Sequence, residues 1–399
     1  MIYNIIKEKL DKLNHDISHF SCSNDICTPM DLVEEMIDKI PEELWNRDCI
    51  KILDPCAGNG NFPAYLLTKI NEKSIIDANE INIKRIKNLQ DIKGINILTK
   101  DFFDFNNEEK YDLIIANPPY AKFTDGKRAA KNHSISKDFV KKSLDLLKHN
   151  GYLVYIIPDN WMSLSDRNDL AKILSEYQFI YLNIHGAKKY FKSVGSSFTW
   201  FVLKKEKNER EFVIDNFYKQ KEKSYVKLNK GIKSIPLFYN NIVKSIIEKT
   251  LNKNNKKFNI ETSSNLHKYT KKNNLKNVKT EDFKYKIWHT PTQQIWSNKK
   301  HKYQNGYKVF ISLTSYYSTF VDEAGMTQSI AFILCQNKKE AENIKKTLQH
   351  PLYVFLNNIH RYGNFNNIRI LQKFPYSTKN PYEEFNISLK EQKFIENFI

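Results

Sequence analysis

Long hydrophobic runs and paired cysteines are both missing from this 399-residue chain. No stretch approaches the roughly 18 consecutive apolar residues that predict a membrane-spanning helix, and the first residues lack the basic start and apolar core of a signal peptide. The five cysteines have no C-x-x-C spacing, and the ten histidines form no metal-spaced cluster. We therefore expect a cytoplasmic protein with free thiols and no bound metal.

Negative charge is scarce in the second half of the chain. Residues 1–204 hold 28 Lys+Arg and 28 Asp+Glu, whereas residues 205–399 hold 35 against 17, so the whole net charge of +18 comes from the second half. A codon bias towards lysine would act along the whole chain, but the first half is neutral. The pattern predicts a catalytic domain over 1–204 and a domain that binds a polyanion over 205–399.

The tetrapeptide Asn117-Pro118-Pro119-Tyr120 follows an apolar run that predicts a buried strand, which the two prolines must end. Groups just beyond the carboxyl end of a strand in an α/β sheet project into the ligand crevice. The side-chain amide, the carbonyls and the aromatic face suit a flat base with an exocyclic amino group. Taken alone, the tetrapeptide is equally typical of a Pro-Pro turn with a packing tyrosine.

A second predicted strand, residues 50–53, runs into a loop of small residues from Asp54 to Phe62. Small residues allow the backbone to turn tightly and approach a ligand closely. The loop lacks the third glycine of the dinucleotide fingerprint and the Lys-Ser/Thr of a nucleoside triphosphate site. We interpret Cys56 as a small packing residue away from the amino-base site.

Two further predicted strands end beside acidic residues. Residues 74–79 precede Glu80, which is placed to accept both hydroxyls of a ribose, although an ordinary surface acid would fit the same position. Residues 95–98 precede Asp101 and Phe102, where an acid and an aromatic ring could contact an adenine. The order of strands and side chains predicts a nucleoside site beside an amino-base site on one parallel sheet.

Other segments complete the prediction. Thr28 is expected to cap a helix in which Pro29 is the first residue. The polar residues 121–137 are expected to form a mobile loop over the site, with a disordered surface loop as the alternative. Phe191, or else Phe198, is expected to provide a second stacking face opposite Tyr120, although aromatics at such positions are more often part of the core. Residues 247–280 suggest a linker or basic arm, and residues 361–367 offer groups for phosphates and base edges.

These residues resemble the γ-type DNA adenine-N6 methyltransferases, in which the S-adenosylmethionine motifs precede an Asn-Pro-Pro-Tyr motif and the recognition domain is C-terminal. The resemblance covers residues 1–204 and implies an α/β fold: a Rossmann-like, seven-stranded methyltransferase sheet with helices on both faces, followed by a C-terminal α+β recognition domain. It implies catalytic roles for Asn117, Pro118, Pro119, Tyr120 and Phe191, and S-adenosylmethionine contacts at Thr28, Pro29, Asp54, Cys56, Ala57, Gly58, Gly60, Phe62, Glu80, Asp101, Phe102 and Asn117.

The function expected from this resemblance is methyl transfer to N6 of a flipped-out adenine in double-stranded DNA, by a monomer or weak dimer. The chain before residue 50 is too short for a nuclease domain, so a cognate restriction endonuclease would be a separate protein. RNA adenine-N6, cytosine-N4 or a protein glutamine are alternative substrates. A catalytically silent DNA-binding module is a further alternative.

Overall fold

The structure is a computed structural model that describes residues 2–15, 27–106, 108, 110–120, 123–124, 127–128, 135–166, 168–191 and 195–399. The chain divides into two compact units. The first comprises Met1–Met162 with Asn168–Ser234, and the second comprises Ser163–Arg167 with Ile235–Ile399.

The first unit is built on a mixed β-sheet. Its strands are β1 (Lys51–Asp54), β2 (Ile75–Asn79), β3 (Asn96–Leu98), β4 (Tyr111–Ala116), β7 (Leu147–Pro158), β8 (Tyr177–Ile184), β9 (Phe198–Lys207), β10 (Phe212–Asn216) and β11 (Glu222–Val226), with a separate two-stranded pair, β5 (Phe123–Thr124) and β6 (Lys127–Arg128). Within the described residues the sheet has nine strands in the order β11-β10-β8-β9-β7-β4-β1-β2-β3. The strands from β7 to β3 in this order are parallel, and β9 is antiparallel to both of its neighbours.

Helices alternate with the strands of the first unit. They are α1 (Ile2–Asn14), α2 (Met30–Ile37), α3 (Glu42–Trp45), α4 (Asn61–Leu66), α5 (Ile83–Leu89), α6 (Ser136–Leu146) and α7 (Leu170–Leu174). The apolar face of α2, including Leu32 and Met36, shares one buried cluster with the strand residues Ile52, Leu113 and Val154. Burial of one such side chain stabilises a fold by about 1.5–3 kcal/mol, so this packing fixes α2 against the sheet.

This architecture confirms the predicted Rossmann-like methyltransferase fold but extends it. The sheet has two strands more than the seven expected, because β10 pairs with β8 in parallel and β11 follows it in antiparallel. The predicted domain boundary after residue 204 falls inside β9, and the compact unit continues to Ser234. The change to polar residues after 204 marks the exposed end of the sheet, where β11 alternates between partly buried and exposed positions before the buried Val226, and does not mark the end of the unit.

The second unit contains two four-stranded sheets, β12-β19-β16-β17 and β13-β15-β14-β18. Its strands are β12 (Glu261–Thr262), β13 (Leu275–Lys276), β14 (Tyr285–Thr290), β15 (Gln293–Ser297), β16 (Lys308–Ser312), β17 (Thr319–Asp322), β18 (Gly325–Met326) and β19 (Ile330–Leu334). Its helices are α8 (Asn241–Lys249), α9 (Lys338–Leu348), α10 (Pro351–Asn358), α11 (Ile368–Leu371), α12 (Pro381–Glu384) and α13 (Leu389–Phe398). The predicted linker, residues 247–280, instead includes the end of α8 and strands β12 and β13.

Within the part of the chain that the structure describes, every helix is too short or too polar to cross a bilayer.

Candidate active site

The site lies where the parallel strands β1, β2 and β4 end. Leu53 of β1 pairs with Ile114 of β4, and Asp54 pairs with Ala78 of β2. The carboxyl ends of these three strands are therefore neighbours at one edge of the sheet. This edge brings together the small-residue loop, Glu80 and Asn117, as the order of motifs in the sequence predicts.

Asn117 is hydrogen-bonded at both ends of its side-chain amide. Its Nδ2 donates to the hydroxyl of Thr28 over 3.1 Å, and its Oδ1 accepts from the hydroxyl of Tyr120. Its main-chain carbonyl accepts from the thiol of Cys56 over 3.4 Å. Cys56 therefore lies beside the amino-base site, contrary to the prediction, because β1 and β4 are adjacent strands and their following loops meet.

Thr28 holds Asn117 and does not cap the helix. The first helical residue of α2 is Met30, Pro29 occupies the N-cap position, and no side chain caps the helix. Thr28 is buried, and its carbonyl accepts a hydrogen bond of 2.7 Å from Nδ2 of Asn61. The hydroxyl that the sequence assigns to a local cap is thus used in a tertiary contact, 89 residues along the chain.

The two glycines of the small-residue loop have different roles. Both have left-handed backbone conformations, with φ of 58° at Gly58 and 95° at Gly60. A Cβ atom on Gly58 would meet nothing within 4 Å, whereas one on Gly60 would lie 2.3 Å from Cδ1 of Ile92 and 2.9 Å from Cδ2 of Leu89. Gly58 thus borders open space, but Gly60 is needed for close packing of the loop against the end of α5 and the residues after it.

Two buried carboxylates hold the backbone of this region. Oδ1 of Asp54 accepts from the amide of Cys56, and Oε2 of Glu80 accepts from the amide of Gly58 over 2.9 Å. The other oxygen of Glu80 accepts from the amides of Ile81 and Asn82, each over 2.8 Å. Burial raises the pKa of Asp54 well above its usual range, and the neighbouring negative charge of Glu80 raises it further. Burial also raises the pKa of Glu80.

A pocket with about 370 Å³ of free space, open to solvent, lies above this edge. It is lined by Cys27, Thr28, Cys56, Ala57, Gly58, Asn59, Asn61, Phe62, Arg85 and Asn117. Six of these residues are among those predicted for the site from the sequence. Asp54, Gly60 and Glu80 lie behind the lining, where they support the loop.

Several polar residues of the site were not predicted from the sequence. Cys27, Asn59, Asn61 and Arg85 line the pocket, and the positive charge of Arg85 acts to lower the pKa of Glu80 against the larger effect of burial. The amide of Asn79 donates to the carbonyls of Pro55 and Lys100 and accepts from the amide of Lys100, so it joins the small-residue loop to the segment before Asp101. These bonds span 21 to 24 residues of the chain, so no local signal in the sequence indicates them.

The segment after β3 differs from the prediction. Asp101 is exposed, and its Oδ1 accepts from the amide of Phe103 at the start of a 3-10 turn. The ring of Phe102 is buried and stacks on Phe139 at a centroid distance of 4.9 Å. Because its face is covered, Phe102 cannot offer a flat contact to a ligand. The exposed apolar side chains at these strand ends are Phe103 and Ile81.

The aromatic groups beside Asn117 form a chain of ring contacts. Tyr120 is half-buried, and its ring centroid lies 5.4 Å from that of Phe198. The ring of Phe198 also contacts Phe191, at a centroid distance of 5.2 Å. Phe198, the second choice from the sequence, is therefore the direct neighbour of Tyr120. Pro118 is buried and Pro119 is exposed. The predicted loop over the site lies largely outside the described residues, which include 123–124, 127–128 and 135–137 of it.

Among the described residues, no group of three His, Cys, Asp or Glu side chains is arranged to hold a metal ion.

Comparisons with known proteins match the first half of the chain most closely. Residues 4–191 match the model of the family described as Eco57I restriction-modification methylase. The type II methyltransferase M.VspI of Vibrio sp. (strain 343) is 25% identical over 203 residues, which cover 45% of this chain and 47% of the relative. A release factor glutamine methyltransferase of Fusobacterium nucleatum subsp. nucleatum is 26% identical over 187 residues, covering 41% of this chain and 51% of the relative.

One crystal structure resembles nearly the whole chain. The type IIG restriction endonuclease BpuSI is 14% identical with a TM-score of 0.51, and the match covers 98% of this chain and 63% of BpuSI. At this identity the likeness concerns the fold alone. The chain spans about half the length of these two curated relatives. The matches confirm the resemblance to S-adenosylmethionine-dependent DNA methyltransferases, and residues 4–191 are similar to the Eco57I restriction-modification methylase family.

Proposed function

We propose that the protein transfers a methyl group from S-adenosylmethionine to N6 of an adenine flipped out of duplex DNA. The observation that carries the proposal is the amide of Asn117, which Thr28 holds by its nitrogen at the edge of the pocket. With Nδ2 engaged by Thr28, the oxygen is the end of the amide that faces a partner. An oxygen acceptor is what an amino group requires, because N6 of adenine carries two hydrogens and presents them as donors.

The chain's own residues would orient the amino group. Oδ1 of Asn117 accepts from the Tyr120 hydroxyl, and an adenine N6–H would replace that hydroxyl. The carbonyl of Pro118 would accept the second hydrogen. Because the N6 lone pair is delocalised into the ring, two such bonds would draw the nitrogen towards sp³ character and expose its lone pair. Placement and electrostatics would then supply most of the rate enhancement.

Aromatic residues would hold the flipped base. Flipping costs a few kcal/mol, which stacking in the site must offset. Tyr120 is half-buried against Phe198, with Phe191 behind that ring. We assign the stacking face to Tyr120, and we assign Phe191 and Phe198 to the support of that face.

The pocket fits the expected cofactor. The buried Oδ1 of Asn61, which makes no hydrogen bond among the described residues, is an acceptor for an ammonium group, and Gly58 borders open space where a ligand can approach the backbone. When bound, S-adenosylmethionine supplies a methyl group on a positively charged sulfonium. Thr28, Cys56, Ala57 and Phe62 would line the cofactor, and Glu80, the acid expected to bind the ribose, would act from behind the lining by holding the Gly58 amide. We assign the contacts with the adenine ring of the cofactor to the exposed side chains of Ile81 and Phe103 in place of Phe102.

The distribution of charge supports DNA as the polyanion. With the boundary at Ser234, residues 235–399 hold 26 Lys+Arg and 12 Asp+Glu, which is +14 of the total +18. Lysine and arginine in such excess favour phosphate contacts. The similarity to M.VspI further supports a site-specific methyltransferase of a restriction-modification system, acting in the cytoplasm beside a separately encoded endonuclease.

A protein substrate is the alternative that a specific observation favours. One relative is a release factor glutamine methyltransferase, and the side-chain amide of a glutamine also carries an NH2 group that Oδ1 of Asn117 could accept from. The basic second unit argues against a protein substrate. RNA adenine-N6 and DNA cytosine-N4 share both the amino group and the polyanion, so only the product distinguishes them.

Methyl transfer from labelled S-adenosylmethionine, followed by nucleoside and amino-acid analysis, tests the proposal. Mixed-sequence duplex DNA, structured RNA and a glutamine-containing release factor should be offered separately. We expect N6-methyladenine in DNA alone. N4-methylcytosine in DNA would change the assigned substrate to cytosine, and label in RNA or protein alone would change it to that macromolecule. Cofactor and DNA binding without any transfer would identify a silent DNA-binding module.

A further inference from the structure

Two loops of the second unit are fastened together by one asparagine. The first loop, residues 312–318, joins β16 to β17, and the second, residues 360–367, joins α10 to α11. Asn366 is buried; its main-chain amide donates to Leu313 O over 2.9 Å, and its Nδ2 donates to the carbonyls of Ser312 (2.8 Å) and Ser315 (3.1 Å). Its Oδ1 accepts from Asn357 of α10 over 3.0 Å. The two loops therefore form one fixed element.

Neighbouring tyrosines in the first loop face opposite ways. The hydroxyl of Tyr317 donates to Leu348 O over 3.0 Å, and its ring contacts Phe374. Tyr317 thus anchors the turn to the core of the unit. Tyr316 is 84% exposed, the largest value among the exposed large hydrophobic residues that the structure describes. A ring held in water on an anchored turn contributes little to folding and is accessible to a ligand.

The exposed groups around Tyr316 are aromatic, cationic and amide in character. The guanidinium carbon of Arg361 lies 5.1 Å from the Tyr316 ring centre, and Nη2 of Arg361 donates to Asn364 O over 3.2 Å. Phe365 is 64% exposed on the same loop. We call Tyr316, Arg361, Asn364 and Phe365 the Tyr316 surface. The contact with the ring and the bond to Asn364 hold the guanidinium in place; its Nε is buried, so the N–H groups that remain for a partner are those of the two Nη atoms.

Duplex DNA is the partner that this chemistry fits. The surface belongs to the part of the chain that carries +14 of the net charge. A planar guanidinium is the side chain that most often contacts a base edge specifically, through two bonds to O6 and N7 of guanine in the major groove. Exposed aromatic rings add stacking or methyl contacts with bases. A surface for phosphates alone would need positive charge but neither the rings nor the fixed plane.

We propose that the Tyr316 surface contacts base edges of the DNA target and that Arg361 selects a guanine within it. This inference rests on the proposed function, because it requires that DNA is the substrate. It adds the residues that choose the sequence to a site that performs the transfer.

The experiment begins with the wild-type protein, whose target sequence is mapped by sequencing methylated DNA. Methylation rates are then measured on the target and on every single-base variant of it. Arg361→Lys keeps the positive charge but loses the planar guanidinium. Tyr316→Ala removes the ring that the guanidinium contacts, whereas Tyr316→Phe keeps that ring. Tyr225→Ala is the matched control, since Tyr225 is 63% exposed on β11 of the first unit.

We expect Arg361→Lys to lower discrimination at one G·C position by roughly 5- to 150-fold, while the salt dependence of DNA binding stays unchanged. Tyr316→Ala should lower discrimination at the same position, and Tyr316→Phe and Tyr225→Ala should behave as wild type. S-adenosylmethionine binding and the melting temperature are measured for each variant and identify any variant that fails to fold. If Tyr316→Ala does not fold, the comparison of Arg361→Lys with Tyr316→Phe and the wild type still tests the inference.

Unchanged discrimination at every position in Arg361→Lys would overturn the inference. Equal weakening on all sequences would also overturn it, since it would indicate a phosphate contact. If the wild-type protein methylates no DNA, the proposed function itself fails, and that result is obtained before any variant is made. Capture of another protein by this surface, lost in Tyr316→Ala with discrimination intact, would assign it to a protein partner instead.

Discussion

The two sides of the pocket are held in different ways. At the end of β4, the side-chain amide of Asn117 is held by hydrogen bonds to two other side chains, the hydroxyls of Thr28 and Tyr120. At the ends of β1 and β2, the buried carboxylates of Asp54 and Glu80 hold backbone amides. A hydroxyl can exchange for a substrate group, whereas a backbone fixed by buried carboxylates moves only if the loop unfolds. Changes on the first side should therefore alter the rate, and changes on the second should alter stability and cofactor binding.

The largest expected effect comes from Asn117→Ala. Loss of the oriented acceptor should lower methyl transfer by about 100- to 1,000-fold, the cost typical of removing one preorganised polar group from a catalytic site. S-adenosylmethionine binding should be largely retained. Single-turnover kinetics and calorimetric binding measure the two quantities separately.

Asn71→Ala is the matched control for that variant. The Asn71 amide is also hydrogen-bonded at both ends: Nδ2 donates to the carbonyls of Arg47 and Asp48, and Oδ1 accepts from residues 73 and 74, but this site lies at the opposite end of the strands. It should transfer methyl groups at the wild-type rate. Equal activity in Asn117→Ala and Asn71→Ala would refute the assigned mechanism.

Gly60→Ala should destabilise the protein by roughly 2–4 kcal/mol, since it combines a left-handed backbone with a methyl group pressed against Ile92. Gly58→Ala has the backbone cost alone, about 1–2 kcal/mol, and should weaken cofactor binding because its methyl group enters the pocket. Denaturant unfolding and cofactor titration of both variants make the comparison. Similar stability loss in the two would contradict the separate roles.

Thr28→Val should reduce kcat by about 3- to 10-fold, the value of one hydrogen bond, because the shape is kept and the acceptor for Asn117 is lost. The change in cofactor affinity should be smaller than the change in kcat. Thr28→Ser keeps the hydroxyl and serves as the control. A Thr28→Ser variant as slow as Thr28→Val would show that the methyl group, and not the bond, matters.

The smallest effect concerns pH. Burial raises the pKa of Asp54 in the folded protein, so the folded state keeps this proton at pH values where the unfolded chain has released it. Stability from this group is therefore present below the usual carboxyl pKa and is lost as pH rises through the raised value. Asp54→Asn should flatten that part of the melting temperature profile, measured from about pH 4 to pH 8. A profile that keeps its slope in Asp54→Asn would assign the dependence to another group.

The fold and the ligand edge could be predicted because they depend on local signals and on order. The apolar run before Asn117 and the small residues after Asp54 are visible in the sequence, and a parallel sheet brings strand ends together. The contacts of Thr28, Cys56 and Gly60 could not be predicted, because each depends on which distant element lies beside it. The 3-10 turn that buries Phe102 and exposes Phe103 likewise depends on the packing of α6, which supplies Phe139.

The domain boundary was misplaced for a related reason. A strand at the edge of a sheet is largely in water, so β11 begins with three polar residues and its composition resembles a linker. Only its pairing with β10 shows that it belongs to the first unit. The revised boundary leaves the excess of positive charge in the second unit, so the argument from charge does not depend on it.

The bond between Tyr120 and Asn117 has a consequence for turnover. Under the proposed function, the product N6-methyladenine retains a single hydrogen on its exocyclic nitrogen and can serve only one of the two acceptors. The Tyr120 hydroxyl then competes for the other, so each completed reaction replaces a favourable ligand by a poorer one. Under that function, the phenol of Tyr120 would promote release of the product and disfavour a second methylation of the same nitrogen.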